Sequence, residues 1–152
     1  MVATMTPEVA EEIYQVRAAV EGLAGQLFAE RASNEHRAAL QESLAAVDAA
    51  QRSAALPALV AAKDHFYAVL AAGSGNRTMT AIAESLRDRI AWLRYRTLAQ
   101  PGRASQSAAE MRRILDAVLV QDRAGAAAAC IEHVQAAAVI AAQVLHRQQA
   151  SA

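Results

Sequence analysis

The stretch AAKDHFYAVLAAGSGN, Ala61 to Asn76, brings Lys63, Asp64, His65 and Tyr67 close together. An acid beside an imidazole invites a metal-site reading, and an ammonium near a phenol invites anion recognition. Helix geometry separates the two readings. Adjacent helical residues point about 100° apart, whereas residues four apart share a face. Asp64 and His65 therefore cannot both ligate one ion from a regular helix, and both are expected toward the surface. Lys63 and Tyr67 can act together, with Leu59 and Leu70 extending the same stripe.

Polar groups on apolar faces recur elsewhere. Arg17 and Glu21 lie one turn apart, Arg89 and Arg94 interrupt a later helical pattern, and His133 sits between Ile131 and Val134. Taken singly, each reads as a snorkelling arginine, a surface ion pair or a core histidine. His36 and His146 lie near helix ends. The chain carries no nucleophile–base pair, no paired carboxylates at helical spacing in a core and no phosphate loop, so it does not read as an enzyme.

Six helical segments must position these groups, with no strand alternation, giving an all-α, up-and-down antiparallel bundle. Thr6-Pro7-Glu8 opens the first, which carries Ile13, Val16, Val20, Leu23 and Leu27 and ends near Arg31. Ser33 caps the second, which runs to about Gln51; Pro57 opens the third, which stops at Gly73-Ser74-Gly75. Asn76 caps a long fourth through Ile82, Leu86, Ile90 and Leu93, closed before Pro101-Gly102. Ser107-Ala108-Ala109-Glu110 reads as a capping box opening the fifth, and Asp122 caps the sixth, which runs to His146.

At 152 residues the chain fits one domain over its whole length, large enough for a single core. Fifteen acids balance fifteen bases, so nothing here grips nucleic acid through a clustered basic excess. The lone Cys130, in AAAACIEH, reads as a small buried hydrophobe, and a single cysteine points to a reducing cytoplasm. No apolar run of about 20 residues and no secretory leader is expected.

Four motifs in order resemble the ligand-binding C-terminal domain of GntR-type transcription regulators, in the FadR-like (FCD) branch. They are EIYQVRAAVEGLAGQLFAERAS in the first helix, KDHFYAVLAAGSGN in the third, EMRRILDAV in the fifth and DRAGAAAACIEHVQ at the start of the last. The resemblance covers essentially the whole chain. Members of that branch commonly hold a divalent metal through an Asp and three His. Those positions map here to Lys63, Tyr67, Met111 and His133, so only one ligand survives and no metal cofactor is expected.

The resemblance then implies a homodimeric sensor whose pocket takes a small-molecule effector, with a small organic acid as the natural ligand. Its expected binding residues are Arg17, Lys63, Tyr67, Asn76, Arg89, Met111 and His133. Lys63 would take over the metal's attraction for a carboxylate, Tyr67 would donate a hydrogen bond and Arg17 would add a second cation. Alternatively Lys63 pairs with Glu21 or Glu110 and the bundle is a closed, structural dimerisation module. DNA reading would belong to a winged helix-turn-helix head, for which this chain has no room before its first helix.

Overall fold

The computed structural model describes residues 4–152. Seven helices occupy them: α1 (Pro7–Arg31), α2 (Asn34–Arg52), α3 (Leu56–Ser74), α4 (Arg77–Arg89), α5 (Ala91–Leu98), α6 (Arg103–Leu119) and α7 (Arg123–Ala150). The described residues contain no strand, as the sequence pattern requires. The expected caps are in place: Thr6, Ser33, Asn76 and Asp122 each accept a backbone N–H of the first turn through a side-chain oxygen. Gly75 ends α3 in the left-handed conformation at φ 69°, which a residue with a Cβ adopts only with strain.

Two expected helix boundaries need correction. The long fourth helix is broken at Ile90 (φ −115°, ψ 18°) into α4 and α5. No proline or glycine marks the break, so local propensity does not cause it. Ile90 and Leu93 are both buried in one core, and tertiary packing overrides the helical pattern there. The fifth helix starts four residues before its supposed capping box. Gly102, at φ 76°, turns the chain straight into α6 at Arg103, leaving Ser107 and Glu110 buried inside the helix.

The core is in two parts with a polar layer between them. Along α1, Ile13, Tyr14 and Ala18 belong to one cluster and Ala24 and Phe28 to the other. Arg17 and Glu21 lie in and beside the gap between them, at 2% and 4% exposure. Along α7 the change falls between Cys130 and Val134, and His133 stands there. The apolar stripe expected on α1 is only half inward: Ile13 and Leu27 are buried, whereas Val16 and Leu23 are exposed.

Helix α7 is long and apolar enough by length and composition to cross a membrane, which corrects the expectation that no such run exists. Its alanines supply the apolarity, and here it packs against α1 and α6 and buries Cys130, His133 and Val144. Close approach to α1 depends on glycine. A Cβ on Gly25 would lie 2.6 Å from Cys130 Sγ and 2.8 Å from the Ala126 carbonyl oxygen. Backbone cannot yield as a side chain can, so Gly25→Ala is expected to cost about 1–3 kcal/mol. A thermal melt checks this; an unchanged midpoint would mean that α1 and α7 can separate freely.

Candidate functional site

The polar layer surrounds a cavity of about 30 Å³, room for no more than a few water-sized groups. Helix α1 lines it with Tyr14 and Arg17, and α3 with Lys63 and Tyr67. Helix α5 adds Arg94 and Thr97, α6 adds Arg103 and α7 adds His133. Arg103, Ser107 and Glu110 recur at helical spacing on α6, so one face of that helix delivers all three to the layer.

The bonding is specific. Arg17 donates to both carboxylate oxygens of Glu21, at 3.0 and 3.3 Å, and Arg87 donates to the same acid at 3.3 Å. Arg103 grips Glu110 through two bonds of 2.8 and 2.7 Å. Burial raises the Glu110 pKa, but hydrogen bonds from His133 and Arg103 outweigh it and hold it at about 2. Arg94 donates to Asp64 at 2.7 Å.

His133 links Glu110 to Tyr67. Its Nδ1 lies 2.8 Å from Glu110, and its Nε2 lies 2.6 Å from the Tyr67 hydroxyl. Burial pushes the His133 pKa down to about 4, despite the Glu110 hydrogen bond, so the ring is neutral near pH 7. A neutral ring satisfies both contacts in one tautomer: Nδ1–H donates to the carboxylate and Nε2 accepts from Tyr67. Burial raises the Tyr67 pKa and keeps that hydroxyl protonated to donate. The Tyr67 ring meanwhile faces four cations, with Arg17, Arg87, Arg94 and Lys63 at 5.3–6.0 Å from its centroid.

Lys63 is the exception. It is 7% exposed, and its ammonium donates to the Ser107 hydroxyl, with no described carboxylate in ion-pair range. The expected alternative of pairing with Glu21 or Glu110 is thereby set aside, since those acids are held by arginines and His133. Burial lowers the Lys63 pKa, Arg94, Arg103 and Arg17 lower it further, and it falls to about 7. Two hydroxyls at the cavity, Tyr14 OH and Thr97 Oγ1, are buried with no partner in hydrogen-bond geometry, although they lie close enough for Thr97 to influence Tyr14. Five basic side chains face three carboxylates, a surplus of two positive charges when Lys63 is protonated.

A family model described as the FCD domain matches residues 12–136. The chain belongs to the FCD domain family. No curated protein matches it significantly. FCD domains are the effector-binding domains of GntR-family transcription regulators, and the matched span of this one includes every residue of the polar layer, from Tyr14 to His133.

Within this FCD domain the expected site residues divide. Arg17, Lys63, Tyr67 and His133 meet at the cavity. Tyr67 spends its hydroxyl on His133, so it presents a ring rather than a free donor. Met111 is fully buried in the apolar core and does not line the cavity. Asn76 caps α4, accepting from Met79 N–H at 3.0 Å, and faces a separate surface groove. Arg89 is exposed on α4, outside the cavity; Arg87, two residues earlier, is the buried one. Asp64 and His65 are exposed, as helix geometry requires. Sequence reasoning missed Tyr14, Arg87, Thr97 and Arg103, and placed Ser107 and Glu110 in a capping box.

The positions that the resemblance assigns to metal ligands offer an ammonium, a phenol bonded elsewhere, a core thioether and an imidazole with both nitrogens engaged. Those groups do not fit a divalent cation, which needs several free carboxylate or imidazole donors. Among the described residues no three His, Cys, Asp or Glu side chains gather as a metal-holding set.

Proposed function

We propose that this FCD domain senses a small organic anion, most simply a short carboxylic acid, without a bound metal. One observation carries the reading: a cavity with more buried cations than carboxylates, into which Lys63 and two unpartnered hydroxyls point. A carboxylate there would halve the surplus, accept charge-assisted bonds and meet the Tyr14 and Thr97 hydroxyls together. The roughly 30 Å³ available favours ligands of formate or acetate size, or a larger acid admitted by movement of the lining helices. In a regulator, such a ligand acts only through a difference in affinity between two helix arrangements, and dimeric effector domains transmit that difference to DNA-reading heads.

Melting the EDTA-treated protein against short carboxylates tests this. An acid at a hundred times its Kd adds about 2.7 kcal/mol, a rise of roughly 5–11 °C for a chain of this size. The rise is expected with EDTA present and is expected to be lost in Lys63→Met. A rise that needs added divalent metal would overturn the metal-free reading. No rise with any acid would favour the closed, structural bundle, which the small cavity volume also supports.

A further inference from the structure

The anion reading leaves open which of the buried cations a ligand would engage first. The three carboxylates of the polar layer are not equivalent. Glu21 and Glu110 are 4% and 3% exposed and each holds two partners. Pulling either cavity arginine, Arg17 from Glu21 or Arg103 from Glu110, would take a buried carboxylate's two-bond counter-charge away. Asp64 differs, with a half-exposed side chain (49%) and a single bond, at 2.7 Å, to an Arg94 that is 13% exposed. If Asp64 lets go it is simply hydrated. Arg94 is thus the one arginine lining the cavity that can change partners at small cost, whereas Lys63 holds no carboxylate to begin with.

Arg94 also sits on an unusual element. Helix α5 has eight residues, set off from α4 by the break at Ile90 and from α6 by the Pro101–Gly102 turn. It presents both Arg94 and the unpartnered Thr97 hydroxyl to the cavity. The groups facing Arg94 there are Lys63 and the Tyr67 ring from α3, Tyr14 and Arg17 from α1, and Arg103 from α6. Asp64 is the sole acid bonded to Arg94 among the described residues, and that bond ties α5 to α3.

We propose that a carboxylate entering the cavity takes Arg94 from Asp64, so that ligand binding unties α5 from α3. Asp64 is then an internal competitor, a tethered carboxylate that holds Arg94 until a free one arrives. This rests on the anion reading above. The outer face of α5 carries a built-in reporter: Trp92, the only tryptophan, is 47% exposed and lies two residues from Arg94. The Arg96 guanidinium stands 5.6 Å from its ring centroid, so a change in α5 alters the indole's surroundings.

The test titrates sodium formate and sodium acetate at constant ionic strength against sodium chloride, reading both melting midpoint and Trp92 emission. Asp64→Asn keeps the shape, removes the competitor and lies at an exposed position. It is expected to bind the carboxylate roughly 3- to 10-fold more tightly than the parent. Asp48→Asn removes the same charge from the Asp48–Arg112 pair of α2 and α6, away from the cavity, and is expected to leave affinity unchanged. Arg94→Gln is expected to lose binding by tenfold or more, together with the emission change. Equal tightening by Asp48→Asn would reduce the effect to net charge and overturn the exchange of partners. Binding that Asp64→Asn leaves unchanged or weakens would overturn it too, with the anion reading intact. Binding without an emission change would refute the untying of α5. If neither the parent nor Asp64→Asn gains stability from either acid, the anion reading fails and this inference with it.

Discussion

Replacing Lys63 by methionine is expected to make the empty protein more stable, and more so in mild acid than in alkali. The Lys63 pKa stands near 7 in the fold, against 10.5 for an ordinary lysine, because burial and then Arg94, Arg103 and Arg17 oppose its charge. The sign follows from proton counting. Below pH 7 the lysine is charged in both states and the folded state carries the whole cost. Between about 7 and 10.5 the unfolded chain binds a proton that the folded one does not, so the parent gains stability as pH rises. Methionine keeps the length of the stem and removes the charge. At pH 6 the variant is expected to gain about 3 kcal/mol, or roughly 6–12 °C in midpoint, and the gain is expected to shrink toward zero by pH 10. Saturating carboxylate narrows the gap from the other side by stabilising only the parent. A variant that is less stable at every pH, or equally shifted at pH 6 and pH 10, would mean that Lys63 is solvated or paired.

How far the chain announced this site depends on which signals were local. The caps at Thr6, Ser33, Asn76 and Asp122 were legible because the cap is a contact between residues three apart. The pairing of Arg17 with Glu21 followed from helical spacing, as did the separation of Lys63 from Asp64. The partners of Lys63 did not, because Ser107 lies 44 residues away on another helix. Ser107 and Glu110 misled for a physical reason: the pattern of a hydroxyl three residues before an acid is the same in a capping box and on a buried face. Only the turn at Gly102 tells them apart, by starting α6 earlier. Tyr14, Thr97 and Arg103 carry no local signature, since a polar residue at the edge of an apolar stripe is usually solvated. Their role appears only when five helices bring them to one cavity.

The second large effect is expected at Glu110. Its carboxylate receives two bonds from Arg103 and one from His133, all within 2.8 Å and nearly out of water. Glu110→Gln puts an amide donor against a guanidinium donor, leaves Arg103 without a counter-charge and takes one acceptor from the group. Removing one partner of a buried ion pair costs about 3–5 kcal/mol, far more than the pair adds over an apolar substitute. The midpoint is therefore expected to fall by roughly 6–20 °C. The pH profile separates this cause from loss of packing. The Glu110 pKa is about 2 in the fold against 4.5 ordinarily, so its contribution is complete above 4.5 and lost as pH falls through 2. The deficit of the variant is accordingly expected to hold constant from pH 9 to pH 5 and to close at lower pH. A packing defect would persist in acid. The substitution also raises the surplus of the layer from two positive charges to three, so acetate at high concentration is expected to recover more stability in Glu110→Gln than in the parent. If acetate stabilises both equally, the charge of the cavity is not what draws the anion, and the basic surplus around Lys63 would have to be read as structural.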